Sequence, residues 1–259
     1  MQLVAKAYDG RLQLPAFQRD WKWERSKVIS LYDSLRKQFP IGGFLFIECS
    51  PEDNLSPRPY EGALKNHKAP IELTLDGQQR ITSGIVLLHK EDTGTRYFLD
   101  LKALRDLTLK HRPTPSAPEG LDYRNEDQVK AFVQDVDDGD NYMISTNKKT
   151  QATTLLMKNH LLSSIHLATK VSTAKALEAY DEKYPDTKDF LKYVVVPYFT
   201  LENSSLHPVV TLTSSESLSA VTKIFATINT TGKRLTPVEI VTAVLYAHDI
   251  NLKKQVKEF

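Results

Sequence analysis

The feature that most constrains this chain is a strand–turn–helix pattern centred on residues 76–80, Asp-Gly-Gln-Gln-Arg. Apolar residues alternate before this segment, at Ile71, Leu73 and Leu75, and an apolar run from Ile81 to Leu88 follows it. Alternation, then glycine, then a helical pattern predicts a strand that turns directly into a helix. The first N–H groups of such a helix face the turn and favour an anion there.

The side chains of this turn are those that a phosphate site uses. The planar guanidinium of Arg80 can bind a phosphate at two points. Gln78 and Gln79 offer amide donors and acceptors, Gly77 permits the tight turn, and Asp76 can bind a metal ion or accept a proton. On the motif alone, an ordinary turn with a solvated Arg80 remains the alternative, because short motifs occur by chance.

Composition narrows the class of protein. The chain has 259 residues, enough for one or two domains, and 34 Lys+Arg against 32 Asp+Glu give a net charge of +2. Such a balance does not predict strong unaided binding to DNA. The single cysteine, Cys49, excludes an intramolecular disulfide and a cysteine zinc site. Because no signal peptide or membrane-spanning run is visible, we expect a cytoplasmic protein without a membrane partner.

Hydrophobic periodicity predicts an α/β part followed by a mainly helical part. In residues 1–110, helical spacing favours a helix over 25–38, and short apolar runs favour strands over 44–48 and 97–101. In residues 111–259, one run favours a strand and the others favour helices; the strand is 192–201 and the helices are 125–136, 148–169, 172–183 and 215–229. We therefore predict a domain boundary near residue 110.

Two further segments contain candidate ligand-binding side chains. Gln18 and Arg19 end an extended segment, and Arg19 is a candidate second phosphate ligand, with stacking on a nearby tryptophan as its alternative. A polar turn over 225–235 joins two predicted helices and contains Asn229, Gly232 and Lys233. Lys233 could reach a phosphate, whereas Asn229 and Gly232 also suit helix capping. The sequence has no P-loop, no Gly-x-Ser-x-Gly elbow and no zinc-protease histidine pattern.

Together, segments 15–24, 76–82 and 225–235, in this order, resemble a known family. They are similar to the ParB/sulfiredoxin-like domain at the N-terminus of GmrSD-type restriction proteins and related phage-defence proteins. The resemblance extends from residue 12 to about residue 245. It implies an α/β domain with a nucleotide-phosphate site, and NTP hydrolysis that regulates a separate nuclease domain.

The resemblance also implies roles for particular residues. It places Asp76, Gln78, Gln79 and Arg80 in the catalytic nucleotide site, with Mg²⁺ on Asp76. The implied nucleotide-binding residues are Gln18, Arg19, Gly77, Arg80, Asn229, Gly232 and Lys233. In this reading Arg19 and Arg80 bind phosphates, and the glutamines fix the γ-phosphate or the attacking water. The expected partners are a nucleoside triphosphate and DNA, the latter directly or through a nuclease domain, and the oligomeric state is left open.

One departure from the family and three alternatives accompany this reading. Full-length relatives often carry a His-Asn-His nuclease domain, but His207 and His248 stand alone here, so we do not expect this chain to cut DNA. The main alternative is a module that binds DNA or senses modified DNA without nucleotide turnover. A structural or toxin–antitoxin partner is a second alternative. Sulfiredoxin-like thiol chemistry is disfavoured because Cys49 lies outside the motif.

Overall fold

The computed structural model describes residues 2–48, 57–64, 72–89, 95–112, 120–146, 151–202 and 207–213. In chain order its first elements are α1 (Gln2–Tyr8), β1 (Leu12–Gln13), α2 (Arg25–Arg36), β2 (Phe44–Glu48), β3 (Glu72–Asp76), α3 (Gln78–Leu88), β4 (Arg96–Asp100) and α4 (Leu101–Lys110). They continue with α5 (Glu126–Asp135), β5 (Met143–Thr146), α6 (Ala152–Asn159), β6 (Leu161–Ser163), α7 (Lys170–Lys183), α8 (Lys188–Phe190), a π-helical turn (Leu191–Val195), α9 (Val196–Tyr198) and β7 (Val209–Leu212). This content confirms the predicted mixed α/β class. Within these ranges, none of the helices has the length and apolar character needed to cross a membrane.

The chain divides into two compact units, each built from separate stretches of sequence. The motif unit comprises residues 2–22, 42–82 and 207–259, and the helical unit comprises 23–41 and 83–206. The predicted boundary near residue 110 stays a prediction. Cys49, the predicted helix over 215–229 and the 225–235 turn lie outside the described residues.

A four-stranded sheet in the order β1-β3-β2-β7 forms the centre of the motif unit. Strand β2 is antiparallel to β3 and parallel to β7, while β1 is parallel to β3. Residues Phe44 to Ile47 of β2 and Leu73 to Leu75 of β3 are all buried. The sequence predicted β2 from its continuous apolar run and β3 from the alternation of Leu73 and Leu75.

Gly77 makes the direct passage from β3 into α3 possible. Its φ angle is +99°, and a Cβ atom built on it would lie 2.3 Å from Cδ1 of Phe44. Residues with a side chain are strained at this φ, and here they would also collide with the ring. The predicted strand–turn–helix is therefore confirmed, and glycine is required at its corner.

The helical unit contains an antiparallel sheet in the order β5-β4-β6, whose central residues Tyr97, Phe98 and Leu99 are buried. The same unit buries a cation, Arg36, whose side chain is fully inaccessible to solvent. It pairs with Asp33 one turn earlier on α2 and donates to the Tyr142 hydroxyl at 2.8 Å. A buried charge is tolerated only when it is paired and hydrogen-bonded, as this one is.

Two predicted elements in the helical unit are wrong. The valine-rich run 192–201 is not a strand: helical turns extend from Lys188 to Tyr198, because Phe190, Leu191, Val194 and Val195 bury one face at helical spacing. The π-helical turn precedes Pro197, whose missing N–H interrupts α-helical hydrogen bonding.

Among the described residues, the predicted helix over 148–169 is instead α6, then β6, then a short 3-10 helix at Ser164–Ala168. Helix α6 ends at His160, which adopts a left-handed conformation with φ +61°, and β6 begins at the next residue. A left-handed residue closes a helix in the same way that a C-cap glycine does.

Candidate site at the turn between β3 and α3

An ion pair between Asp76 and Arg80 spans the turn. Asp76 ends β3, Arg80 lies in the first turn of α3, and Nη2 of Arg80 is 3.1 Å from Oδ2 of Asp76. The side chain of Arg80 is 16% exposed and that of Asp76 is 43% exposed. The cation is thus largely enclosed, whereas the carboxylate remains open to solvent.

Strand β2 and the glycines before it hold the Arg80 guanidinium in place. Nη2 donates to the carbonyl oxygen of Gly43 at 2.8 Å, and Cζ lies 4.7 Å from the centre of the Phe44 ring. A Cβ atom on Gly42, whose φ is +91°, would lie 2.6 Å from Nη1. Arg80 is therefore not an ordinary solvated helix residue, because hydrogen bonding, a cation–π contact and close packing fix its orientation.

The glutamines of the two motifs hydrogen-bond backbone atoms. Gln18 is buried, and its Nε2 donates to the carbonyl oxygen of Leu75 at 2.7 Å. Gln78 donates from Nε2 to the carbonyl oxygen of Arg19, and Oε1 of Gln79 accepts from the N–H of Lys22 at 3.0 Å. These bonds attach segment 18–22 to β3 and α3. The structure therefore gives the three glutamines a positioning role, and their contact with a nucleotide stays a prediction.

Segment 18–22 brings Arg19 to the same turn. The carbonyl oxygen of Arg19 accepts hydrogen bonds from Nε2 of Gln78 and from Nη2 of Arg58, the latter at 3.0 Å. Within the part of the chain that the structure describes, no hydrogen bond, ion pair or ring contact involves the Arg19 guanidinium. Stacking of Arg19 on a tryptophan, the alternative role, is absent from those ranges. Arg19 thus has a backbone fixed by hydrogen bonds, and the binding of a ligand by its guanidinium stays a prediction.

His207 lies beside this site, although no sequence motif assigned it a role. Its ring packs edge-on against Phe44 with 6.1 Å between ring centres. Burial lowers the pKa of His207, and the positive charge of Arg80 lowers it further. In the sequence, its position two residues before the apolar run of β7 was the feature that could have indicated its place, but that run was not predicted to be a strand.

The described residues offer few side chains that could hold the expected magnesium ion. No group of three or more His, Cys, Asp or Glu side chains able to hold a metal occurs among the described residues. Asp76 alone fits a limited role, since Mg²⁺ in nucleotide sites often takes one or two carboxylates together with substrate phosphates. Asn229, Gly232 and Lys233 lie outside the described ranges, so their place in the site stays a prediction.

Comparison with known proteins identifies the family. The sequence pattern of the GmrSD restriction endonuclease N-terminal domain matches residues 2–246, so this chain belongs to that family. Membership indicates a protein of a restriction or phage-defence system, as the resemblance had implied. The chain is also 34% identical, over 117 residues, to the uncharacterized protein MJ0686 of Methanocaldococcus jannaschii. That match covers 40% of this chain and 20% of the relative, so the chain spans only a small part of that protein's length.

Proposed function

We propose that this chain is the NTP-binding and NTP-hydrolysing regulatory domain of a cytoplasmic restriction or anti-phage system. The observation that supports the proposal is the Asp76–Arg80 pair, fixed at the start of α3 with its carboxylate open to solvent. We further propose that the motif unit has the ParB/sulfiredoxin-like architecture that the resemblance implies.

Phosphate binding follows from the orientation of the donors. The Arg80 guanidinium is already held by Phe44 and Gly43, so little side-chain entropy is lost when an anion binds beside it. The N-terminus of α3 adds the positive end of a helix dipole at the same turn. Arg19 supplies a second guanidinium, and two cations neutralise a polyphosphate better than one does.

Hydrolysis needs few further groups, because phosphoryl transfer is catalysed mostly by positioning and electrostatic stabilisation. A water oxygen bonds to the γ-phosphorus as the bond from that phosphorus to the β–γ bridging oxygen breaks, giving a nucleoside diphosphate and inorganic phosphate. In the proposed site Asp76 accepts a hydrogen bond from this water and takes its proton. Arg19 and Arg80 stabilise the charge that develops on the phosphate oxygens. In the alternative role of the same carboxylate, Asp76 would instead hold Mg²⁺ together with the phosphates, and the ion would neutralise part of that charge.

The glutamines have an indirect part in this scheme. Gln78 and Gln79 hold Arg19 and the adjoining backbone against α3, so that both guanidiniums face one ligand. Asn229, Gly232 and Lys233 are proposed to complete the nucleotide site from the 225–235 turn.

One observation favours a second function, DNA binding without turnover. Arg19, Lys22 and Arg58 lie on and beside segment 18–22, where Arg58 also pairs with Asp20 at 3.6 Å. DNA phosphates would be bound there by the same guanidiniums, and the affinity would fall steeply with salt.

Phosphate release separates the two functions. ATP, GTP, CTP and UTP are each offered with Mg²⁺ to the wild type, Asp76→Ala and Arg80→Ala, with and without DNA. Arg124→Ala is the matched control, since it removes an arginine from an exposed pair with Asp189. We expect turnover in the wild type and the control and a loss of at least roughly tenfold in both site variants.

Unchanged turnover in Arg80→Ala would contradict the proposed site. A folded wild type that releases no phosphate but binds DNA in a salt-dependent way would support the second function.

A further inference from the structure

The topology of the motif unit brings three strand ends to one edge of its sheet. Strand β3 ends at Asp76, and its antiparallel neighbour β2 begins there, with Leu45 opposite Asp76. Strand β7 runs parallel to β2, with Val209 opposite Phe44, so it begins at this edge as well. His207 lies two residues before β7 and therefore reaches the edge that holds the Asp76–Arg80 pair.

Backbone pairing and a shared aromatic ring fix this placement. The N–H of Phe44 donates to the carbonyl oxygen of Pro208 at 2.9 Å. The Phe44 ring then has the His207 ring 6.1 Å from its centre and the Arg80 Cζ atom 4.7 Å from its centre. One side chain thus positions both the cation and the imidazole.

We propose that His207 is a further nucleotide-binding residue, which donates a hydrogen bond to the phosphate chain held by Arg80. The inference rests on the proposed function and adds a residue that neither the motifs nor the family resemblance assigns. The ligand class is the same, a nucleoside polyphosphate.

The charges around His207 determine how its binding should depend on pH. The positive charge of Arg80, which is paired with Asp76, acts on His207. Without ligand, burial and this charge hold the pKa of His207 below its ordinary value. A bound polyphosphate places negative charge beside the ring and raises that pKa.

Because the pKa of His207 is higher in the complex than in the free protein, nucleotide affinity should increase as the pH falls toward the pKa of the complex. The increase should level off below the pKa of the free protein. Protonation of the nucleotide's own phosphates affects the wild type and every variant alike, so differences between proteins report His207.

The test compares two substitutions of His207 in the full chain. His207→Phe keeps an aromatic ring against Phe44 but removes the ring nitrogens, and His207→Gln keeps a hydrogen-bond donor that does not titrate. The Kd values of ATP, GTP, CTP and UTP are measured between pH 8 and pH 6, and thermal melting shows whether each variant folds. Arg80→Ala reports the parent site.

We expect His207→Phe to melt like the wild type and to bind nucleotide roughly tenfold more weakly at pH 6. His207→Gln should retain most of the pH 8 affinity and lose the increase at low pH. If Arg80→Ala abolishes binding while both His207 variants keep the wild-type affinities and pH profile, the inference is overturned and the proposed function stands. If the wild type binds none of ATP, GTP, CTP and UTP, both are overturned.

Discussion

The two units each contain an arginine paired with an aspartate one turn away, and the pairs differ in what surrounds them. In the helical unit Arg36 pairs with Asp33, and their side chains are 0% and 11% exposed. In the motif unit Arg80 pairs with Asp76, and the exposed fractions are 16% and 43%. Both guanidiniums also lie over aromatic rings.

The hydrogen bonds of Arg36 show that its pair is enclosed by protein. Arg36 donates to the Tyr142 hydroxyl and to the carbonyl oxygens of Val133 and Val136, while the Tyr142 hydroxyl donates to Asp33. Burial raises the pKa of that hydroxyl, so Tyr142 remains a neutral donor. This pair has its donors satisfied by the protein and no solvent-facing carboxylate, which suits a structural role.

The Asp76–Arg80 pair lies instead at the start of a helix, with a carboxylate that solvent reaches. An Asp–Arg pair that is enclosed by protein atoms, such as Asp33–Arg36, can contribute to stability. A pair whose carboxylate is exposed to solvent, such as Asp76–Arg80, can also contact a ligand. Sequence spacing is nearly the same in the two pairs and does not distinguish these roles.

The largest effect on stability should come from breaking the buried pair. We expect Arg36→Met to lower the free energy of unfolding by about 3–5 kcal/mol, because Asp33 would keep, among the described residues, only Lys37 as an ion-pair partner and the carbonyl oxygens of Val133 and Val136 would lose their buried donor. Urea unfolding measures this loss. Arg124→Ala, in the exposed pair with Asp189, should cost less than about 1 kcal/mol. Equal losses of unfolding free energy in the two variants would contradict the distinction between the buried pair and the exposed pair.

A second prediction concerns the corner of the turn. Gly77→Ala places a Cβ atom 2.3 Å from Phe44, whereas Gly120→Ala has a similar φ of +94° and no contact nearer than 3.5 Å. The control should therefore show only backbone strain, about 1 kcal/mol. Gly77→Ala should lose roughly 1–3 kcal/mol more, from overpacking against the ring. Urea unfolding measures the loss in both variants, and equal stability of the two would contradict the expected clash with Phe44.

A third prediction moves Arg80 without changing its charge. A Cβ atom on Gly42 would lie 2.6 Å from Nη1, so Gly42→Ala should displace the guanidinium while α3 and β2 stay folded. We expect nucleotide affinity to fall roughly tenfold, since misplaced donors no longer match the phosphate. Gly120→Ala again controls for backbone strain. A Gly42→Ala protein with wild-type affinity would show that the orientation of Arg80 does not matter.

The smallest predicted effect tests the positioning glutamines. Gln78→Ala removes the donor that Arg19 accepts from, and a hydrogen bond of this kind contributes about 1 kcal/mol. Nucleotide binding should weaken roughly fivefold because the Arg19 backbone loses one attachment. Gln128→Ala, which removes an exposed acceptor from the N–H of Asp122, should leave the affinity unchanged. Titration with labelled nucleotide measures both, and a loss in Gln128→Ala as large as in Gln78→Ala would contradict a specific role.

Local signals predicted part of this structure well. The alternation before Gly77 and the apolar run after it gave β3 and α3, because the passage between them depends on one glycine and two nearby periodicities. Helices α2, α5 and α7 likewise follow from apolar spacing within single segments. The valine-rich run before Pro197 failed because burial of one helical face outweighed its strand propensity.

Long-range contacts explain what remained hidden. In the sequence, Arg36 does not differ from any other charged residue near a helix end, because its partners Val133 and Tyr142 are about a hundred positions away. The glutamines of the motif suggested ligand contacts, yet their bonds go to a backbone segment almost sixty residues earlier. His207 reaches the turn only through the pairing of β7 with β2. None of these contacts leaves a local periodicity in the sequence.

The most direct test of the central claim is calorimetric titration of ATP, GTP, CTP and UTP, each with Mg²⁺, into the wild type and Arg80→Ala. Circular dichroism first establishes that the variant is folded, and Gly120→Ala serves as the folded control with an unaltered turn. We expect at least one nucleotide to bind the wild type and Gly120→Ala equally, and to bind Arg80→Ala at least roughly tenfold more weakly. The same affinity in the wild type and Arg80→Ala would contradict the central claim.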